Sequence, residues 1–505
     1  MKNLGEFFTK QAIKFILPAA VAGLLGTGCQ TYQQQNKVIN YWHQGDLTNA
    51  VAEATKEANA NAKNKDAIVW RLEQGAVLRA AGKYDDSNQA FDQAQTQIDD
   101  YSQKAKVRLG QEAGALLSNQ AELDYEGRSY DGIMLNTYRA LNYLALGETD
   151  KARPEIFRAY QRQQDAVEAN KRRIEQTQAA ADKEKDKAQI DKAEQDPKFQ
   201  AQLEGSMTNI NDIKVYANYV NPFTVYLDGI YFMFNAADAS DLERAHKSLE
   251  RAASFATEND YVKQDLATAD DLINAKPLVP TTYVIFETGC APIRDQVRID
   301  IPIIVSKVSY VGAAFPTIKP QGDFLRSLTV TANGTNYNTQ LICSMDSIVT
   351  LDYKNELPVV ITKTIAATVT KAIAAYAANQ AASQAGGDIA GLFMQLSTAV
   401  YQMAVNIADT RTWTTLPKEF QVCRFPTPAD GKIQLSTPNN MVIPLTLDGV
   451  ANIVGVTNVV KNDLTSTNSV PASSAPLSAG SSVNVVYVKS ITAGTPLLVS
   501  QFKLK

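Results

Sequence analysis

The stretch ALNYLALGETDKARPEIFRA, residues 140–159, decides the architecture of the first half of the chain. A small residue, Ala140, is followed by Tyr143, then Gly147, then Ala152, Ile156 and Ala159. The same spacing of small, large, glycine, small, large and small recurs in Gly75, Leu78, Gly82, Ser87, Phe91 and Ala94, with Tyr84 just past the glycine. Such spacing predicts two helices joined by a turn. The small positions let the helices approach, the large ones fill the gap, and the glycine ends the first helix.

These units resemble the tetratricopeptide helix–turn–helix repeat. Partial copies are Gly45, Leu47, Ala50, Ala54 and, with a longer turn, Gly229, Phe232, Leu242, Ala245, Leu249, Ala252. Residues 29–275 are therefore expected to form a tetratricopeptide-like α-solenoid or a helical bundle. Stacked pairs would bury a continuous core and leave a concave face free. Within it, residues 160–205 carry mostly charged residues and alanine, including Lys171-Arg172-Arg173. That composition predicts a solvated helical extension or a linker.

From Pro277 the pattern changes. LVPTTYVIFETG reads as a strand, and Val297, Ile299 and Ile301 alternate with Arg298 and Asp300. SLTVTANGTNYNTQLI reads as a hairpin turning at Asn333-Gly334, and SIVTLDY as a further strand. The closing LLVSQFKLK alternates again. Between these strands, Leu357 to Tyr376 and Ile389 to Ile407 carry apolar stripes at helical spacing, separated by Gly386-Gly387-Asp388. Residues 357–409 are thus expected to be an αα-hairpin, packed on the strands or inserted in a membrane. Polar Lys363, Lys371 and Gln395 favour packing. Residues 464–482, LTSTNSVPASSAPLSAGSS, read as an exposed loop. The fold class is α+β: a helical N-terminal half joined to a mixed domain, residues 276–505, of strands with an inserted helical hairpin.

Residues 1–28 contain a basic start (Lys2, Lys10, Lys14), an apolar run FILPAAVAGLL and small residues before Cys29. This is the pattern of an export signal, with a core too short to span a bilayer. A cysteine directly after the small residues resembles the signal of bacterial lipoproteins. That resemblance implies cleavage before Cys29 and a diacylglycerol on its sulfur. Gln30 in the next position implies the outer membrane, facing the periplasm. Gly26, where leucine is usual, and Glu6 in the basic region depart from the pattern.

The net charge of −4 gives no overall basic field for nucleic acid. The three remaining cysteines, Cys290, Cys343 and Cys423, lie in apolar strand-like contexts. They read as buried inert thiols, with one disulfide as the alternative. The two histidines, His43 and His246, stand far apart, and no zinc or nucleotide motif occurs, so neither metal nor cofactor is expected. Paired carboxylates need no local motif. Asp346, Asp352, Glu356 and Asp409 flank the hairpin, and Asp409 with Arg411 reads as a structural ion pair or a possible site. Trp413 reads as a core anchor.

The stretches LDYEGRSYDGIMLNTYRALNYLALGETDKARPE (123–155), NPFTVYLDGIYF (221–232) and ADTRTWTTLPKEFQV (408–422) together resemble an uncharacterised family of bacterial lipoproteins with a tetratricopeptide-like N-terminal half. In the last, Ala408, Asp409, Arg411, Trp413, Leu416 and Pro417 carry the likeness. The resemblance implies no activity and supplies no catalytic residue. The expected function is a non-enzymatic envelope scaffold, lipid-anchored and holding a protein or peptide through its helices, with Tyr138, Tyr143, Tyr226 and Tyr231 as contact candidates. The alternatives are a cell-wall hydrolase using C-terminal carboxylates and a membrane-perturbing protein using the 357–409 hairpin.

Overall fold

The computed structural model describes residues 27–107, 120–217, 219–304, 308–384, 407–447, 453–456 and 483–504. The leader before Thr27, the second arm of the expected hairpin and the 464–482 segment lie outside the described residues.

Helices α1 (Thr27–His43), α2 (Leu47–Ala60), α3 (Ala67–Ala80), α4 (Tyr84–Val107), α5 (Ser129–Ala145) and α6 (Thr149–Ala181) pack each against the next along the chain. The two spaced units fall on α3–α4 and α5–α6. Gly82 and Gly147 take positive φ, +74° and +75°, at the turns, the backbone conformation glycine adopts without strain. Helices α7 (Lys187–Glu194) and α8 (Pro197–Ser206) follow, then α9 (Pro222–Phe234), α10 (Ala239–Phe255) and α11 (Asp260–Ile273). Asn221, Asp238 and Asn259 cap the last three through their side-chain oxygens. Of these, α3–α4, α5–α6 and α9–α10 are helix–turn–helix pairs.

Close approach within the first pair rests on Gly75. A Cβ there would stand 2.4 Å from the Phe91 ring, and that ring is fully buried against Tyr138 and Trp413. Gly75→Ala should therefore destabilise the protein by about 1–3 kcal/mol through overpacking, read as a lower urea midpoint. Gly205→Ala, in a helix with open space around the added carbon, should be neutral or slightly stabilising.

The second half builds a six-stranded sheet in the order β10-β12-β11-β1-β7-β6. Its strands are β1 (Thr281–Thr288), β6 (Gln340–Ser344), β7 (Glu419–Pro426), β10 (Ile453–Val456), β11 (Val483–Ser490) and β12 (Leu497–Leu504). Every residue of β1 and β11 is buried, so this sheet is covered on both faces. Tyr283, Ile285, Val485, Phe502 and Leu504 point into one continuous core with the helices. Val284, Phe286, Val486, Val488 and Val499 point the other way, onto a four-stranded sheet. That sheet runs β5-β4-β8-β9, from β5 (Thr335–Asn338), β4 (Thr329–Ala332), β8 (Lys432–Ser436) and β9 (Val442–Thr446). Asn333 and Gly334, both at positive φ, make the two-residue turn between β4 and β5. A long ribbon, β2 (Ile293–Ile304) with β3 (Val308–Lys319), reaches across to α7, α8 and the last helix. The layers are helices, large sheet, small sheet.

Four expectations need correction. The helical face expected to stay free is covered: one apolar cluster runs from Val38 through the helices and the large sheet to Leu504. Residues 160–205 are not a solvated extension. Helices α6, α7 and α8 bury Ala166, Thr177, Ala181, Ile190, Ala193, Phe199 and Leu203, and α7 and α8 pack on β2. Small side chains suffice there because the partner surface supplies the bulk. SIVTLDY is helical, not a strand. It opens α12 (Met345–Gln384), because Met345, Ile348, Val349 and Tyr353, all buried, fall on one helical face. The first arm of the hairpin is therefore part of a 40-residue helix that begins twelve residues before Leu357. It packs on α6, α7, β2 and β3. Its Met345–Ala374 stretch is long and apolar enough to cross a membrane, and half of that stretch is buried inside the protein.

Candidate functional site

The segment 408–417 meets the helical layer through its side chains. Arg411 donates through Nε and Nη2 to Asp409 at 2.8 and 3.1 Å. Its Nη1 reaches Asp66 Oδ1 at 3.0 Å. The same guanidinium also meets the carbonyls of Leu123 and Gln120. Thr412 bonds Tyr130 through its hydroxyl and accepts from Gln35 through its carbonyl. Thr414 and Thr415 together give three hydrogen bonds of 2.6–2.7 Å to Glu73. Trp413 is buried between Phe91 and Tyr138, its Nε1 donating to Thr415. Asp409, Arg411 and Trp413 are thus a seam between the two halves.

Asp346, Asp352 and Glu356, in the first turns of α12, and Asp409 after it are each paired with a cation. Glu356 faces Arg128 at 2.5 Å and Arg294 at 2.6 Å. Arg294 lies 3.5 Å from Asp352, Arg128 3.3 Å from Asp409, and Lys418 bonds Asp346. Burial alone would raise the carboxyl pKa values of Glu356 and Asp409. The guanidinium groups of Arg128 and Arg294 on one, and of Arg411 and Arg128 on the other, outweigh it and hold both below the ordinary range. A general acid would need the opposite shift. Asp131, buried at the start of α5, does shift upward, to about 7, through burial. It accepts from Tyr125 and from the Arg128 backbone.

Three of the four tyrosine candidates prove to be core residues. Tyr138 and Tyr226 are 1% exposed and Tyr231 is 2%. Their hydroxyls donate to Glu287, Asp265 and the Thr149 carbonyl. Buried in this way they offer no contact surface: each ring packs in the apolar core, and each hydroxyl finds a buried or half-buried partner. Tyr143 is partly exposed, with the Lys151 ammonium over its ring.

Tyr138 leads to a pocket that the sequence reading missed. It is a cavity of about 30 Å³ between α3, α5 and the large sheet, lined by Arg79, Tyr84, Tyr138, Glu287, Tyr487 and Lys489 among others. Glu287 and Lys489 are register partners on β1 and β11 and bond directly. Glu287 also accepts from Tyr138 and Tyr487. Burial would raise its carboxyl, but Lys489 and Arg79 hold it below the ordinary value. The available signal was a single charge near the end of each of two otherwise uncharged strands, TTYVIFET and VNVVYVKS.

On the outer side of α6, Phe157 is 39% exposed. It packs edge-on to Phe232 at 5.4 Å, and the Arg244 guanidinium covers its ring at 4.0 Å. Arg244 is held by Asp228 and Arg153 by Asp241, each through two nitrogens. Phe157 thus sits in a rigid arginine frame.

Cys290, Cys343 and Cys423 are free and buried. Burial raises their thiols, to about 11 and about 12 for the first two, which makes them poor nucleophiles. His43 is half-buried and His246 pairs with Asp270. Among the described residues no group of three or more His, Cys, Asp or Glu side chains is arranged to hold a metal ion. No protein-family model, curated protein or solved structure matches the chain.

Proposed function

We propose that the protein is a lipid-tethered scaffold of the bacterial envelope, exported by residues 1–28, anchored through Cys29 to the outer membrane on its periplasmic side, and working by binding rather than catalysis. Cys29 lies in the first turn of α1, so a tether there would hold the folded body by one end of its helical layer. The partner is a protein or peptide of the envelope, gripped by the outer face of the repeat helices. Their inner face is filled by the chain's own sheet.

The observation that carries the reading is Phe157, half-open to solvent and framed by two arginines that are themselves pinned by buried aspartates. Aromatic and arginine side chains held rigid before contact are the composition of binding hot spots. The pairing of Asp346, Asp352, Glu356 and Asp409 with cations also fits a structural role for them.

A photoreactive amino acid at position 157 in living cells should capture a defined envelope protein. The same group at Ile273, exposed elsewhere on the surface, should not. The combined Arg153→Ala and Arg244→Ala variant should lose the product. Identical products at positions 157 and 273 would count against the proposal, as would none at all.

A further inference from the structure

The pocket beside Glu287 holds more positive than negative charge. Glu287 and Lys489 satisfy each other. Arg79 remains, and among the described residues no carboxylate lies within ion-pair distance of it. Its Nη1 donates to Asn142 at 2.7 Å. Its guanidinium lies over the rings of Tyr487, Tyr138 and Tyr84 at 4.8, 5.2 and 5.9 Å. Asn142 is fixed in turn by Ser87 and Asn88. Asn142 and the tyrosine rings therefore fix the guanidinium at the wall of a cavity whose partly exposed lining residues are Leu498 and Ser500 on β12. Burial disfavours the charge on Arg79, but Tyr487, Tyr84 and Glu287 outweigh it, so Arg79 stays a cation and, with Lys489, brings more positive charge to the cavity than Glu287 neutralises.

We propose that this pocket binds the carboxylate of a small ligand, with Arg79 as the charge partner and the surrounding tyrosines as walls. A cavity of about 30 Å³ admits only a small group, and the Arg79 guanidinium at its wall favours an anionic one. The rest of the molecule would lie at the mouth, beside Leu498 and Ser500. Planar guanidinium recognition of a carboxylate gives direction as well as attraction. The carboxylate could belong to a free organic acid or to the end of a peptide chain.

The test is calorimetric titration of the full-length protein in detergent with acetate, with alanyl-alanine and with alanyl-alanine amide. One-to-one binding of at least one acid is expected, with the amide inert. Binding of acetate as well as the dipeptide assigns the site to free acids; binding of the dipeptide alone assigns it to chain ends. Arg79→Gln should weaken binding at least tenfold. Because removing Arg79 also removes its bond to Asn142, Ser500→Tyr provides a second variant. It plugs the mouth, keeps the charge, and should abolish binding with an unchanged melting temperature. Absence of saturable heat with both acids would overturn the proposal, as would equal binding by the amide or undiminished binding in both variants.

Discussion

Arg411→Ala should cost about 3–5 kcal/mol of stability, a large share of the 5–15 kcal/mol that holds a typical domain folded. The change would remove the Arg411 ion pair from Asp66 and leave Asp409 with the longer contact to Arg128. It would also remove one donor from the Leu123 carbonyl and one from the Gln120 carbonyl, which keeps the Leu123 N–H. Asp66 is buried at the seam between the helical layer and the sheet, while Asp409, Leu123 and Gln120 are partly open to solvent, where water can replace part of what is lost. Arg411→Lys keeps the charge but not the fork, and should recover only part of the loss. The pH dependence has a definite sign. Asp409 carries a depressed pKa in the folded state, so its contribution is present above its ordinary value of 3.8 and fades as pH falls below it. Without Arg411 that depression is smaller. The stability gap between wild type and Arg411→Ala should therefore be widest near neutrality and narrow below about pH 4. Urea unfolding at a series of pH values reads both effects. A gap that is constant with pH, or below 1 kcal/mol, would show that the seam is held by packing alone.

Cys29→Ser should move the protein from the membrane fraction to the soluble fraction almost completely. Each buried methylene of an acyl chain contributes about 0.8 kcal/mol of membrane affinity, and one chain alone binds only marginally. A diacylglycerol supplies two. Among the described residues only the Met345–Ala374 stretch could cross a bilayer by length and composition, and half of it is already buried in the protein, so no second anchor of comparable strength is on hand there. Fractionation of cells expressing wild type and Cys29→Ser, with the same extraction at high salt, reads the difference. A serine variant that still sediments with membranes would point instead to α12 or to a membrane-bound partner.

Much of the fold was legible because it follows local periodicity. The spaced units at 75–94 and 140–159 gave α3–α4 and α5–α6, and Asn333-Gly334 gave the β4–β5 turn. The errors arose where a partner far along the chain supplied what the local pattern lacked. Residues 160–205 looked too poor in apolar bulk to pack, but Ile190, Ala193, Phe199 and Leu203 need only meet β2, a hundred residues later. SIVTLDY has strand-like composition, yet its apolar residues fall on one helical face and that face meets the core. The site residues divide in the same way. Arg411 with Asp409 was visible as a local pair, and Trp413 as a large residue needing burial. Arg79, Glu287 and Lys489 were not visible together, since the strand register that unites the last two joins positions 202 residues apart. Tyr138, Tyr226 and Tyr231 misled because helical periodicity does not say which side of a helix a second layer covers. That layer, the chain's own sheet, is distant in sequence.

The claim that the protein is exported and fastened to lipid is tested most directly by mass spectrometry of the amino-terminal peptide of the protein purified from membranes. The expected result is a chain that starts at Cys29 with its sulfur carrying diacylglycerol. A chain that retains residues 1–28, or one that starts at an unacylated Cys29, would contradict it.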